Sequence, residues 1–456
     1  MSIQSVNPFN GEIIKTYEPH SSELIEQKIL RAHESFLSWK DESFEVRARH
    51  MKKAAEVLRN RKRDLAELIA LEMGKPVKAG ESEIEKCALV CEYYAENAKK
   101  FLTPEEIKTD AAKSYVTFNP LGVILAIMPW NFPFWQTFRF LAPGLMAGNC
   151  GVLKHASNVP GCALAIEDVL IEAGFPDHVF QTLLAGSDAI ERIIENPLIK
   201  AVTLTGSTEA GKHVAAKAGS LIKKTVLELG GSDPYLVLED ADIELAAAVC
   251  AESRLINSGQ SCIAAKRFIV VEKVAEDFIS RFREKLASCT VGNPLLTDTQ
   301  LGPLARKDLR DQLHEQVQRS IDQGAECILG GKIEDGPHAF YPPTLLVNVR
   351  KGMPAHDEEL FGPVAAVIIA MDEEDAIAIA NDTSFGLGSA VFTTDIQRGE
   401  HIAANKLNAG CAFVNSLVRS TPELPFGGIS ESGYGRELGS WGIKEFVNIK
   451  TVYISK

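Results

Sequence analysis

The chain has no apolar run long enough to cross a membrane: its longest, "LGVILAIM" and "PVAAVIIAM", are under half of the roughly 20 residues required. The opening "MSIQSVNPFNGEII" has no basic segment followed by an apolar stretch, so no secretory signal is expected. The nine cysteines form no Cys-x-x-Cys pair. Cys87 and Cys91 are four apart in a helical pattern with no histidine at zinc-site spacing, which suits a packed helix face and no metal. An odd, scattered set fits a reducing, cytoplasmic compartment. Positive charge is the scarcer sign, 48 Lys plus Arg against 61 Asp plus Glu, a net of −13. That balance argues against nucleic acid or an anionic membrane as partner, but allows a local cationic pocket. Low-complexity segments, repeats of fixed period and the G-x-G-x-x-G dinucleotide fingerprint are also missing.

What is present is an ordinary globular composition, 45% hydrophobic and 24% charged, over 456 residues, enough for two or three domains. "NPFNGEI" carries a tight-turn signal at Asn10-Gly11. Met51, Ala54, Ala55 and Leu58, then Leu65, Leu68 and Ile69, trace helical stripes. From 114 onward, short apolar runs ("LGVILAIM", "GVLKH", "VFQTLLA", "KAVTLTG", "TVLELGG") alternate with helix-length segments at 134–147, 159–173, 187–195 and 207–218. This alternation predicts a doubly wound α/β domain on a parallel sheet. A second series begins at Pro234, with strands "RFIVVE", "PVAAVIIAM", "SAVFT" and "CAFVN" and helices near 240–256, 275–287, 306–323 and 373–381. The tail "FVNIKTVYIS" is a β-like edge that needs a partner, and "SYVTFNP" is the candidate.

"LTGSTEAGKHV" (204–214) nearly spells a triphosphate-binding loop, but His213 stands where a magnesium-binding hydroxyl belongs, which argues against a kinase or ATPase. What survives is a strand ending at Thr205, with Gly206 and Ser207 opening a helix whose N–H groups suit a pyrophosphate. An ordinary serine cap explains it equally. Lys154 closes the run "GVLK" at a strand's carboxyl end, where open α/β sheets bind ligands, although a plain surface lysine is the alternative.

"INSGQSCIAAKR" (256–267) places Cys262 in a run too small and polar for a core strand. Elsewhere "TVLELGGSDP" sets Glu228 in an apolar strand, where burial would raise its pKa toward that of a general base, unless it faces outward. "MPWNFPFWQTFRF" sets Asn131 between a strand end and a helix starting near Pro133; its side chain suits an oxyanion, or merely caps the helix.

Taken in order, "PWNFP", "LTGS", "ELGGSDP", "GQSC", "EELFGPV", "PFGG" and "SGYGRELG" resemble the NAD(P)-dependent aldehyde dehydrogenase superfamily, and the resemblance runs from "VNPFNGE" to the tail. It implies a cofactor domain (1–112 and 129–230), a catalytic domain (231–412) and a small β oligomerisation element (113–128 and 433–456) in a homodimer or homotetramer. It also implies roles. Cys262 corresponds to the nucleophile, Asn131 with the Cys262 N–H to the oxyanion site, and Glu228 to the base that activates water. Lys154 corresponds to a contact to the adenosine ribose, and Gly206 and Ser207 to the pyrophosphate contact. Glu359 matches the nicotinamide-ribose contact, with Phe361 and Trp130 alongside the cofactor.

Substrate and coenzyme expectations rest on fewer residues. Trp135 and Arg139 follow Asn131 at four-residue steps, so all three share a helix face and Arg139 would hold a carboxylate near an aldehyde at Asn131. That suits a short ω-oxo acid, and "RFLAPGLMAGN", "LKHASNVP" and "GQSCIAAKRF" resemble the short bacterial branch acting on succinate semialdehyde. A second family arginine upstream of the nucleophile is unmatched, since Leu255, Ile256 and Asn257 stand there; Ser420 is a further contact. Ser157, where NAD-preferring relatives often carry glutamate, predicts NADP in preference to NAD. Competing readings are glutarate semialdehyde or another short aldehyde as substrate, a cofactor-free thiol hydrolase, and a non-catalytic protein of the same fold.

Overall fold

The structure is a computed structural model and describes residues 2–456. Two large sheets dominate, and each is parallel except at one edge. The first has six strands in the order Gly433–Tyr434, Lys224–Glu228, Ile199–Thr205, Val123–Met128, Cys150–His155, Phe180–Thr182, with only Gly433–Tyr434 antiparallel. Helices such as Pro133–Met146, Pro160–Glu172 and Thr208–Ser220 cross between its strands. Val123–Met128 and Cys150–His155 are buried at every residue, because both faces of a parallel sheet are covered.

The second sheet has seven strands, in the order Glu326–Leu329, Thr344–Val347, Val364–Ala370, Arg267–Val271, Pro234–Val237, Gly388–Phe392, Cys411–Val414, antiparallel only at the first pair. Its two faces feed separate cores. Leu236, Ile269 and Val271 pack on one side, and Tyr235, Val237, Phe268 and Val270 on the other, the period of two that an extended chain imposes.

A third, small sheet pairs Val447–Ile454 with Lys113–Pro120, which also meets Glu105–Glu106. This corrects the expected limits of the oligomerisation element. Val123–Met128 is an inner strand of the six-stranded sheet, and Gly433–Tyr434 is its edge, so only 113–120 and 447–454 of the expected ranges belong to the small sheet. At the junction Gly122, with a φ of 139°, turns the surface strand directly into the buried one. No helix among the described residues is long and apolar enough to cross a membrane.

The strand order sets the site. In the six-stranded sheet the chain runs one way from Val123–Met128 and the other way from Ile199–Thr205, so a crevice opens between their carboxyl ends. Trp130 and Asn131 follow one of these strands, and Gly206 and Ser207 the other.

Candidate active site

The segment before Cys262 is held in a costly backbone shape. Asn257, Ser258 and Gly259 take φ values of 52°, 55° and 75° in succession. Such runs survive only where surrounding contacts fix them. Here a side chain on Gly259 would meet the Gly362 carbonyl oxygen at 2.1 Å, so only glycine fits. Asn257 Nδ2 donates to the carbonyls of Asn131 at 2.7 Å and Gln260 at 3.1 Å. Arg254 donates to Gly259 O at 2.6 Å, and the Ala305 N–H donates to Gln260 Oε1 at 2.9 Å. Beyond the cysteine, buried Lys266 donates to the carbonyls of Ser261 at 2.9 Å and Cys262 at 2.8 Å. Every turn of the segment is thereby tied down, and Cys262 stands half-buried at its end.

Burial pushes the Cys262 thiol up to about 12, against the pull of Arg139 and Lys266. Glu228 ends its strand 2% exposed, and neither carboxylate oxygen has a hydrogen-bond partner. Burial, helped by Glu437, holds it well above the usual carboxylate range, with Arg139 opposing. An outward-facing Glu228 is therefore ruled out. Arg139 acts on both Cys262 and Glu228, and Cys411 feels both as well, so the thiol and the carboxyl group share one locale.

Asn131 is 4% exposed and donates to Gln260 O at 3.1 Å, which sets its amide against the cysteine segment. It does not cap the helix Pro133–Met146. That task falls to Glu83, from the helix Val77–Phe101, whose Oε1 accepts from the Phe134 N–H at 2.9 Å and the Trp135 N–H at 3.0 Å. A carboxylate at a helix N-terminus satisfies both the free donors and the dipole. Glu83 is itself paired with buried Lys75.

Arg139, the expected substrate contact, already has a partner inside the protein. It is 2% exposed, ion-paired with buried Glu437 and stacked 4.9 Å from the Phe426 ring centre. Helical spacing aligned Asn131, Trp135 and Arg139 on one face, but that face turns into the protein at Arg139. Glu437 was visible only as a letter in "SGYGRELG", with nothing to name its partner. Sequence reasoning also passed over Lys86. Its Nζ lies 3.9 Å above the Trp135 ring and donates to Ser420 Oγ at 2.9 Å. Trp135 and Ser420, both expected substrate contacts, are thus joined by a cation that no motif announced. Lys86, Trp135 and Asn257 line a cavity of about 680 Å³.

The expected cofactor contacts fall along the crevice in two groups. At one end Trp130 and Phe361 meet edge-on at 5.7 Å, and Glu359 accepts from the Gly231 N–H at 3.0 Å while lying 3.3 Å from Lys266 Nζ. At the other, Lys154 is 8% exposed at the end of Cys150–His155, with its pKa lowered by burial. Ser157 is exposed in a cavity of about 1150 Å³ with Gly186, Ser187 and Asp188. Ser207 caps the helix Thr208–Ser220 by accepting from Ala210, and the Gly206 N–H donates to Glu228 O at 3.0 Å. A phosphorylated dinucleotide suits this set, since a partly desolvated ammonium, an open hydroxyl and a helix N-terminus favour anions while Glu359 suits ribose hydroxyls. Lys212 of the false triphosphate loop points elsewhere, paired with Glu431 at 2.8 Å.

Comparison with known proteins matches residues 1–452 to the profile of the Aldehyde dehydrogenase family. A probable succinate-semialdehyde dehydrogenase [NADP(+)] of Synechocystis sp. is 48% identical over 455 residues, covering 100% of both chains. Succinate-semialdehyde dehydrogenase [NADP(+)] 1 of Mycobacterium bovis is 47% identical over 458 residues, again with 100% of both covered. Among solved structures, succinic semialdehyde dehydrogenase from Streptococcus pyogenes in complex with NADP+ superposes with a TM-score of 0.97 at 36% identity, with 100% of each chain covered.

Proposed function

This chain belongs to the aldehyde dehydrogenase family, and from that premise we propose that it oxidises succinate semialdehyde to succinate with NADP, or less readily NAD, as oxidant. The observation that carries the reading is the meeting of a pinned half-buried thiol, a buried unpartnered carboxyl group and an amide at the carboxyl end of a doubly wound sheet. The names of relatives at 47 and 48% identity support the substrate and the coenzyme.

Cys262 Sγ, its proton passed to solvent, adds to the aldehyde carbon as the carbonyl π pair moves to oxygen, which gives the thiohemiacetal oxyanion. The developing oxyanion is held by Asn131 Nδ2, which leaves Gln260 O to donate to it, and by the Cys262 N–H. When bound, the nicotinamide ring supplies the hydride acceptor that converts this adduct into a thioester. Glu228 then takes a proton from water, which attacks the thioester carbonyl and frees the acid and the Cys262 thiol. A raised pKa makes Glu228 a better proton acceptor once ionised, and its location excludes bulk water.

Trp130, Glu359 and Phe361 flank the nicotinamide half. Lys154 and Ser157 meet the adenosine ribose and Gly206 and Ser207 the pyrophosphate, with Ser157 leaving room for a 2′-phosphate where a carboxylate would repel it. The six-stranded sheet with residues 1–112 is read as the cofactor-binding part, and 231–412 as the catalytic part. The small sheet joins copies of the chain in a homodimer or homotetramer, which gives the exposed Ile449 and Tyr453 a partner; they are 61% and 53% exposed. The enzyme is placed in the cytoplasm.

A panel of short aldehydes, each assayed with both coenzymes by absorbance of reduced nicotinamide, tests the whole reading. Succinate semialdehyde with NADP should give the highest kcat/KM. Failure to reduce either coenzyme with any aldehyde would remove the activity itself, and a neutral aldehyde as best substrate would remove the substrate class.

A further inference from the structure

A buried charge holds the cysteine segment from one side. Lys266 is fully buried, and its Nζ donates to Ser261 O at 2.9 Å and Cys262 O at 2.8 Å while lying 3.3 Å from Glu359 Oε1. Its backbone is fixed at the start of the strand Arg267–Val271: its N–H donates to Asp233 O at 3.2 Å, and its carbonyl accepts from the Ala366 N–H at 3.1 Å. Glu359 is held in turn by the Gly231 N–H at 3.0 Å. A Cβ on Gly230 would meet Glu359 Oε2 at 2.5 Å, and one on Gly231 would meet Cys262 O at 2.8 Å. The lysine, the carboxylate and the cysteine carbonyl are therefore packed as one unit. Burial lowers the Lys266 pKa against the pull of Glu359, Asp233 and Cys262, and Arg254 adds to the lowering. A neutral side chain would fill the same space without the cost of burying a charge, so the charge itself calls for a role.

We propose that Lys266 is a positioning residue for the reaction: it aims and polarises the Cys262 N–H that receives the oxyanion, and its charge offsets that of Glu359 at the Cys262 sulfur. The inference rests on the reading of Cys262 as nucleophile and deepens it. The first part follows from peptide geometry. The bond between Ser261 and Cys262 is trans, so its N–H points opposite to the Ser261 carbonyl. The Ser261 oxygen is gripped by Lys266 and by the Ala264 N–H at 3.2 Å, which fixes the direction of the Cys262 N–H. A cation on that oxygen also draws electron density through the peptide group, which strengthens the N–H as a donor. The second part follows from charge. Burial dominates the Cys262 thiol; among the charges acting on it, Arg139 and Lys266 favour the thiolate, while Glu359 and Asp233 disfavour it. Lys266 and Glu359 are the two of these that pair with each other, so removing one leaves the other uncompensated beside the sulfur.

The test is alkylation of the coenzyme-free enzyme by iodoacetamide, followed at Cys262 by peptide mass spectrometry. At a fixed pH below the thiol pKa, Lys266→Met should react about 10-fold more slowly, the effect of one pKa unit, and Glu359→Gln should react faster. The double variant should return to within about threefold of the unaltered enzyme, since both charges are gone. A side chain that merely ties the segment together would not give changes of opposite sign. In Lys266→Met, kcat with succinate semialdehyde and NADP should fall about 100-fold or more, the scale of an oxyanion donor, with KM for the aldehyde little changed. That loss should exceed the loss in alkylation rate, because alkylation makes no oxyanion; equal losses would overturn the claim on the N–H. If full alkylation of Cys262 leaves the unaltered enzyme active, the reading of Cys262 as nucleophile fails. If activity is lost but the two single variants alter alkylation in the same direction, or not at all, only the role of Lys266 fails. Should circular dichroism show Lys266→Met unfolded, Glu359→Gln decides alone, and slower or unchanged alkylation overturns the proposal.

Discussion

Arg139 and Glu437 form a buried ion pair, and both act on the buried Glu228, Arg139 opposing and Glu437 reinforcing the rise of its pKa. Removing the cation alone strands buried negative charge. Arg139→Met is expected to lose about 3–5 kcal/mol of stability, whereas Arg139→Met with Glu437→Leu recovers most of it, as buried pairs replaced together usually do. Urea unfolding of both single variants and the double variant measures the coupling. Simple additivity would mean the pair is not a unit. Arg139→Met should also move the pH–rate curve to higher pH, because Arg139 is what opposes the rise at Glu228.

His155 supplies an acid-sensitive joint between the sheet and the helix that follows Asn131. Its Nε2 lies 2.9 Å from Pro133 O, and its Nδ1 accepts from the Ala156 N–H at 2.9 Å. Only the neutral ring protonated at Nε2 satisfies both contacts, and burial lowers its pKa from 6.5 to about 4. The folded form therefore binds this proton less readily than the unfolded form does. Stability is full above about pH 6.5 and falls as pH drops toward 4, by an amount on the order of 3 kcal/mol at completion. Stability measured from pH 7 to pH 4 should decline less steeply in His155→Gln, whose amide makes the same donor contact without titrating. Parallel curves would assign the acid sensitivity elsewhere.

How much of this was legible in the letters depends on what each feature needs. The spacing of short apolar runs marks the parallel strands, and the helix-length segments between them appear as Pro133–Met146, Pro160–Glu172 and Glu373–Asn381. That alternation is what makes the two α/β sheets. Contacts between distant segments leave no such trace. Glu83 capping the helix of Trp135, Lys266 gripping the Cys262 carbonyl and Glu437 taking Arg139 are each chosen by the folded shape, and any acid or base in the chain satisfies the pattern equally. The partner of Arg139 stayed hidden for this reason: helical spacing gives a direction around one helix, not what that direction faces. The Ser207 cap was readable because a cap is local, three residues from the N–H it accepts.

Ser157 gives a direct handle on coenzyme choice. It lies exposed beside the cavity of Gly186 and Asp188, three residues beyond Lys154. Ser157→Glu sets a carboxylate where a 2′-phosphate would sit, a like-charge contact costing several kcal/mol, so kcat/KM with NADP should fall by more than about 100-fold. With NAD it should hold or improve, since glutamate can accept from both ribose hydroxyls. Equal losses with the two coenzymes would show that the site does not read the 2′ position here.

Glu228 separates the two halves of the chemistry. Because its carboxyl group is buried and unpartnered, Glu228→Gln keeps the shape while removing the only change that matters, the ability to take a proton from water. Rapid mixing should still show an initial burst of reduced coenzyme, close to one per active site, as Cys262 is acylated. The steady rate that follows should fall about 10²- to 10⁴-fold, the usual size of a general-base contribution. In the unaltered enzyme the steady rate should rise with pH beyond the ordinary carboxylate range, because burial holds Glu228 well above that range. That rise should vanish in Glu228→Gln. Loss of the burst together with the steady rate would instead make Glu228 the group that deprotonates Cys262, whose thiol, pushed up to about 12, also needs a base.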